Sequence, residues 1–276
     1  MGNCQYCGKP AGLLHSQHAE CKKQHEKGKG DILTAIARTV AGSSASDGLL
    51  TRINSIAQSA YIADSEKRSL LTSGWGSAVD SFLADGVLDE SEEKQLAKLM
   101  QELSLSQAEL DSSGASAKVI EAAILRDVLN GIVPQRITLE GSLPFNLQRN
   151  EKIVWTFPNT DYLKDKIRRQ YVGGSQGVSV RIMKGVYYHV GAFKAAPVDR
   201  TERVHVDSGL VGITNKHIYF AGTATSFRVP YAKIVSFQPF SDGVGLTRDA
   251  SSAKPEIFVT KDGWFTYNLV TNLARI

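Results

Sequence analysis

The chain has 276 residues, 42% of them hydrophobic and 22% charged, enough apolar material for a sizeable core and too much for a disordered polymer. That length favours about two domains over one. No run approaches the roughly 18 apolar residues of a membrane-spanning helix, and the start lacks the apolar core of a secretory signal, so a cytoplasmic protein is expected. The net charge of +4 is too mild, taken whole, to name nucleic acid or membrane as a partner.

Position sharpens the charge. Residues 1–30 carry five Lys/Arg and two Asp/Glu, residues 31–131 eight and fifteen, and residues 132–276 nineteen and eleven. A basic start, an acidic middle and a basic C-terminal half coincide with changes in secondary-structure period, which we read as domain boundaries.

All three cysteines lie in the first 21 residues. An odd count makes a poor disulfide framework, and Cys4-x2-Cys7 suggests metal or redox chemistry instead. Gly8 permits the chain reversal that brings both thiolates to one ion. His18 and Cys21 follow at i, i+3, on one face of a helical turn. Cys-x2-Cys-x10-His-x2-Cys supplies the four nitrogen and sulfur donors of a closed tetrahedral zinc site. The pattern resembles a treble-clef or zinc-knuckle module over residues 1–30. His15 is the main competitor of His18, and His25 a weaker one. A thioredoxin-like redox motif lacks the strand it needs before Cys4. N-myristoylation lacks Ser or Thr at position 6, where Tyr6 stands.

From residue 31 to 131 apolar residues recur at helical spacing. The stripes are Ile32/Leu33/Ile36/Val40, Leu49/Leu50/Ile53/Ala57, Leu71/Trp75/Val79/Phe82, Leu96/Leu99/Leu103 and Val119/Ile120/Ala123/Ile124/Val128. Asp89 with Glu92, and Ser106 with Glu109, have capping-box spacing. Five short helices in a compact bundle are expected. Setting Gly86 at the glycine of an EF-hand loop puts Leu83 where a carboxylate ligand belongs, so a turn and a capped helix is the better reading. The Ala-Asp85-Gly86-x-Leu-Asp89-x-x-Glu92 pattern resembles the tellurite-resistance TerB-like domains of bacteria. That resemblance implies a helical module of stress-response or phage-defence systems, with acidic metal contacts at Asp85, Asp89 and Glu92.

After Gly131 the period changes to short β-branched and aromatic runs, among them 152–157, 178–182, 186–190, 204–206, 210–214, 217–220, 226–229, 234–237 and 257–259. Residues 132–276 are expected to form an antiparallel barrel or sandwich closed by a helix through Phe265, Leu269, Leu273 and Ile276. The runs 207–220 and 227–234, with Asp242-Gly243, resemble a pleckstrin-homology-like or GRAM-like domain. Such domains bind lipid headgroups, peptides or proteins and are seldom enzymes. The overall expectation is α+β.

Catalytic signatures are sparse. Gly173-Gly-Ser175-Gln-Gly177 matches a nucleophile elbow in letters, but an alternating strand follows where a helix is needed. His189, His205 and His217 lie on strands and read as structural. Lys164, Lys166, Arg168 and Arg169 precede the glycine loop, and Arg181 and Lys184 follow it. If the flanking strands pair, these six converge as an anionic-ligand site, since guanidinium groups match phosphate geometry. Sparse aromatics make single-stranded nucleic acid a weaker partner. The expected function is a non-enzymatic adaptor with a structural zinc ion, docking a partner protein or an anionic lipid or membrane surface, with no small-molecule substrate. A zinc-dependent nucleic-acid-binding regulator is the alternative.

Overall fold

The computed structural model describes residues 2–12, 15–42, 47–85, 88–139, 141–172, 175–183, 186–193, 196–250 and 254–276, and within these the side chains of Asp85 and residues 166–201 are not described. The chain divides into two compact units, Met1–Asn130 and Gly131–Ile276.

The first unit opens with a small antiparallel hairpin, β1 (Gly2–Asn3) and β2 (Pro10–Gly12). Helices α1 (Ala19–Val40), α2 (Leu49–Ser59), α3 (Asp64–Phe82), α4 (Glu90–Glu102), α5 (Gln107–Ser112) and α6 (Ala115–Leu129) follow. The expected boundary at residue 30 falls inside α1, which runs unbroken from the cysteine region into the helices. The apolar stripes meet in one core containing Ile32, Ile36, Leu49, Ile53, Leu71, Trp75, Val79, Leu96, Leu99 and Leu103. Burying each such Leu or Ile fully contributes about 1.5–3 kcal/mol. Trp75 also donates its indole N–H to the Leu96 carbonyl at 3.1 Å, so its polar end is satisfied. Gly74 lets α3 approach α1: a Cβ there would lie 2.5 Å from Ile36 Cδ1.

Asp89 caps α4 as its spacing predicts. Its carboxylate accepts the N–H groups of Ser91 and Glu92 at 2.6 and 2.8 Å, and Glu92 Oε2 accepts the Asp89 N–H at 2.9 Å. These two carboxylates close a capping box and join no metal-type cluster among the described residues. The Asp85 side chain lies outside the described residues.

The second unit is built from β3 (Ile153–Val172), β4 (Ser175–Met183), β5 (Val186–Phe193), β6 (Ala196–Thr214), β7 (His217–Gly222), β8 (Ser226–Pro230), β9 (Ile234–Phe240), β10 (Gly243–Arg248), β11 (Glu256–Val259) and α7 (Gly263–Leu273). Seven strands form one antiparallel sheet in the order β8-β7-β6-β3-β11-β10-β9, and β4 pairs with β5 in a separate ribbon. β3 and β6 form a long ladder, from Ile153 opposite Thr214 to Val172 opposite Ala196.

The expected barrel is not closed. β8 and β9 are the two edges of the sheet, with no ladder between them. Pro230 ends β8 and Pro239 lies within β9, and a residue without an N–H suits an edge and not a ladder. The sheet is nevertheless strongly curled. Laid flat, its outer strands would be about 29 Å apart, six spacings of about 4.8 Å. The three-residue turn Tyr231–Lys233 joins those strands, and such a link reaches only about 14 Å when extended. Aromatic rings fill the curl: Tyr162 lies 5.0–5.3 Å from Phe220, Phe227 and Phe258, centroid to centroid. α7 buries Phe265, Leu269, Val270 and Leu273, with Asp262 accepting the Phe265 N–H at 2.9 Å as its cap.

Candidate metal centre

The four ligands predicted from spacing are brought together. One donor atom each from Cys4, Cys7, His18 and Cys21 lies within 4.8 Å of every other, and no second cluster of this kind occurs among the described residues.

Local backbone chemistry makes the arrangement. The Gly8 N–H donates to the Cys4 carbonyl at 2.8 Å and the Cys4 N–H to the Lys9 carbonyl at 2.8 Å, a tight knuckle. Gly8 sits at φ +71, a left-handed conformation that disfavours other residues. The Gln5 N–H reaches the Ser16 carbonyl at 2.9 Å and draws the second ligand pair up to the first. His18 is the N-cap of α1, and Cys21 stands in its first turn.

His18 is oriented by its outer ring nitrogen. Nε2 lies 3.0 Å from the Pro10 carbonyl, which can only accept, so Nε2 carries the hydrogen. That leaves the Nδ1 lone pair facing inward, 3.4 Å from Cys7 Sγ and 3.6 Å from Cys21 Sγ. One lone pair cannot accept two S–H donors, whereas one ion at the centre satisfies all three atoms. A carbonyl that fixes the tautomer of a ligand histidine is the usual outer support of a metal site.

Electrostatics set the thiols apart. Burial raises the Cys4 thiol, but the N–H groups of Cys7, His18 and Tyr6 outweigh it and hold Cys4 at about 6. Cys21 is pushed up to about 11 by burial and by neighbouring Cys7 and Cys4. His18 is raised above its ordinary range by the Pro10 carbonyl and then by Cys7. Several anionic sulfurs at this spacing repel unless a cation sits among them.

The competing histidines have other surroundings. His15 is exposed and outside the cluster. His25 is buried on α1 against Ala60 and Glu66.

The basic residues do not form a described site. Lys164 lies 3.3 Å from the buried carboxylate of Glu256, which also accepts Arg248 Nε at 2.6 Å. The side chains of Lys166, Arg168, Arg169 and Arg181, and Lys184 as a whole, lie outside the described residues. Their backbone context differs from the one assumed for convergence: β3 pairs with β6 and β11, and β4 with β5.

Ser175 begins strand β4, so the strand-to-helix context of a nucleophile elbow is absent there. His205 Nε2 lies 2.9 Å from Ser208 Oγ and 3.3 Å from Asp161. The His189 side chain is not described.

A polar cluster that spacing did not suggest lies at the start of β3. The Glu151 carboxylate accepts Thr214 Oγ1 at 2.5 Å, His217 Nδ1 at 2.8 Å, the Tyr219 hydroxyl at 2.8 Å and the Gln148 N–H at 2.7 Å. Burial raises its pKa, but these bonds together hold it below the ordinary range.

No known family model and no curated protein matches this chain. What it is similar to therefore rests on its own residues: an α+β chain with an N-terminal Cys3His cluster fit for a metal ion. No helix among the described residues is long and apolar enough to cross a membrane.

Proposed function

We propose that the protein is a non-enzymatic binding protein whose N-terminal Cys3His centre holds one structural zinc ion. The observation that carries the reading is the pair of sulfur–nitrogen distances at His18, 3.4 and 3.6 Å. A tetrahedral ion with Zn–S of about 2.3 Å and Zn–N of about 2.0–2.1 Å separates its sulfur and nitrogen ligands by about 3.6 Å. Three soft sulfurs and one imidazole suit zinc better than a hard oxygen-seeking cation. Four protein donors also leave no coordination position for a reacting water, so the ion's part is to hold the fold.

The finer domain readings belong to the same proposal. Helices with a capped Asp89–Glu92 turn support a TerB-like module, and strands followed by one terminal helix support a pleckstrin-homology-like one. The excess of Lys/Arg in residues 132–276 favours an anionic surface or an acidic protein as partner.

Metal analysis of protein purified without added zinc tests the centre. One equivalent per chain is expected, falling below half in Cys21→Ser; less than half in the wild type would sink the assignment. For the β-unit, the triple variant Lys166→Ala, Arg168→Ala, Arg169→Ala should bind anionic vesicles more weakly at low salt. Equal binding by wild type and variant would reduce the cluster to a solvated face. Binding to DNA that weakens steeply with salt, with no binding to anionic vesicles even at low salt, would favour the nucleic-acid reading.

A further inference from the structure

The knuckle is fastened to the helices by a side chain that is not a ligand. Tyr6 stands between Cys4 and Cys7, and its ring lies on the imidazole of His25 with centroids 4.7 Å apart. His25 is 6% exposed. Its Nδ1 lies 3.0 Å from the Ala60 carbonyl and its Nε2 3.2 Å from Glu66 Oε1, so one ring bridges the end of α2 and the start of α3. Two further residues of α1 grip the same corner. Gln24 Nε2 donates to the Ser59 carbonyl at 2.7 Å. Gly28 admits Ala60 so closely that a Cβ at that position would lie 2.2 Å from the Ala60 methyl.

The corner needs that outside grip. α2 ends with the Ile62 N–H donating back to the Ala57 carbonyl at 2.9 Å. A helix end of this kind favours glycine in the left-handed position just before the closing donor. Tyr61 occupies it, at φ +55. A strained backbone persists where its surroundings over-determine it. Here those surroundings are residues 24–28 of α1, with Tyr6 screening the His25 ring from water.

We propose that metal occupancy of the Cys4, Cys7, His18 and Cys21 centre controls the order of the α2–α3 corner, residues 59–66, through the Tyr6–His25 contact. The proposal rests on the reading that this centre binds a metal. A short knuckle has too little core to stay folded without its ion. When it opens, Tyr6 leaves His25, water competes for the ring's contacts with the Ala60 carbonyl and Glu66, and the strained end of α2 frays. The ligands thus act on a segment far from them along the chain.

Hydrogen–deuterium exchange of the full chain, before and after a chelator, tests this, with metal content measured on the same samples. The amides of Ala60 and Ile62, which donate to Ile56 and Ala57, should lose about tenfold or more of their protection. Amides of α4 should change little. Tyr6→Ala that still holds its metal should exchange fast at the corner already and respond no further to chelation. Tyr6→Phe keeps the ring and should behave as wild type, and Tyr61→Gly should blunt the response by removing the strain. Unchanged exchange at Ala60 and Ile62 after measured metal loss overturns the proposal, as does a Tyr6→Ala variant that responds like wild type. If Tyr6→Ala loses the metal, a Tyr61→Gly response as large as wild type overturns it instead. A wild-type chain that never contains metal fails the reading of the centre itself, and the metal assay records that separately.

Discussion

Two clusters of four side chains, one in each unit, end with opposite chemistry. Glu151 with Thr214, His217 and Tyr219 is closed on itself: each carboxylate oxygen accepts two donors, counting the Gln148 N–H. A carboxylate has about four lone-pair sites, so nothing remains for a ligand. Cys4, Cys7, His18 and Cys21 are the reverse. Their acceptor atoms crowd one another, and the one inward lone pair of His18 faces two sulfurs. That set is short of a positive centre. Convergence alone does not define a site; the balance of donors against acceptors does.

The comparison breaks most visibly at Glu151. Glu151→Ala leaves the His217 imidazole N–H and the Gln148 N–H without their acceptor, while the Thr214 hydroxyl can turn to the His217 carbonyl at 3.0 Å and the Tyr219 hydroxyl keeps only the Asn146 carbonyl at 3.4 Å. Each unsatisfied buried group costs about 1–3 kcal/mol, with water and relaxation recovering part. A loss of about 3 kcal/mol or more is expected on chemical denaturation. Glu151→Gln keeps the volume and one acceptor oxygen, and should lose less than Glu151→Ala. A loss below about 1 kcal/mol for Glu151→Ala would place this network with ordinary surface pairs.

The two clusters also differ in how far the sequence disclosed them. The metal ligands lie within residues 4–21, so their spacing is local geometry and can be read directly. The choice between His15 and His18 depended on the Pro10 carbonyl, which spacing does not show. Glu151 meets partners 63–68 positions away, and no local pattern reports such a contact. The same logic runs through the fold. Periodic apolar stripes disclosed the helices, but the start of α1, Lys22-Lys-Gln-His-Glu-Lys-Gly-Lys-Gly30, has no apolar stripe. Its buried face is His25 and Gly28, two residues that do not read as core, so the spacing divides α1 into a ligand-bearing helix within residues 1–30 and a second one from Ile32. Strand β10 is missing from the runs read in the sequence, because Gly243 and Gly245 dilute its β character. Gly243 is there because a Cβ would lie 2.0 Å from the Phe258 carbonyl oxygen of the neighbouring strand. That close backbone approach is tertiary information.

The smallest expected effect lies at Glu109, and it sharpens the contrast, because this carboxylate is also multiply bonded but lies at the surface of the first unit. Its oxygens accept the Ser106 hydroxyl at 2.6 Å and the Ser106 N–H at 2.8 Å, and Arg68 grips it from α3 through Nε and Nη2 at 2.8 and 2.6 Å. The Ser106 hydroxyl and N–H, then Arg68, hold Glu109 at about 2, against an ordinary 4.5. A pKa depressed by folding means that the ionised form is favoured in the native state. The stability it contributes is therefore complete above about pH 4.5 and is lost as pH falls towards about 2. The pair is partly exposed, so solvent screens it and the effect on overall stability should be small. Carboxyl NMR titration should place the Glu109 midpoint near 2. Ser106→Ala should raise the midpoint by removing the hydroxyl, and Arg68→Ala should raise it less, because both Ser106 donors remain. A wild-type midpoint at the ordinary carboxylate value would show that these bonds are not kept in solution.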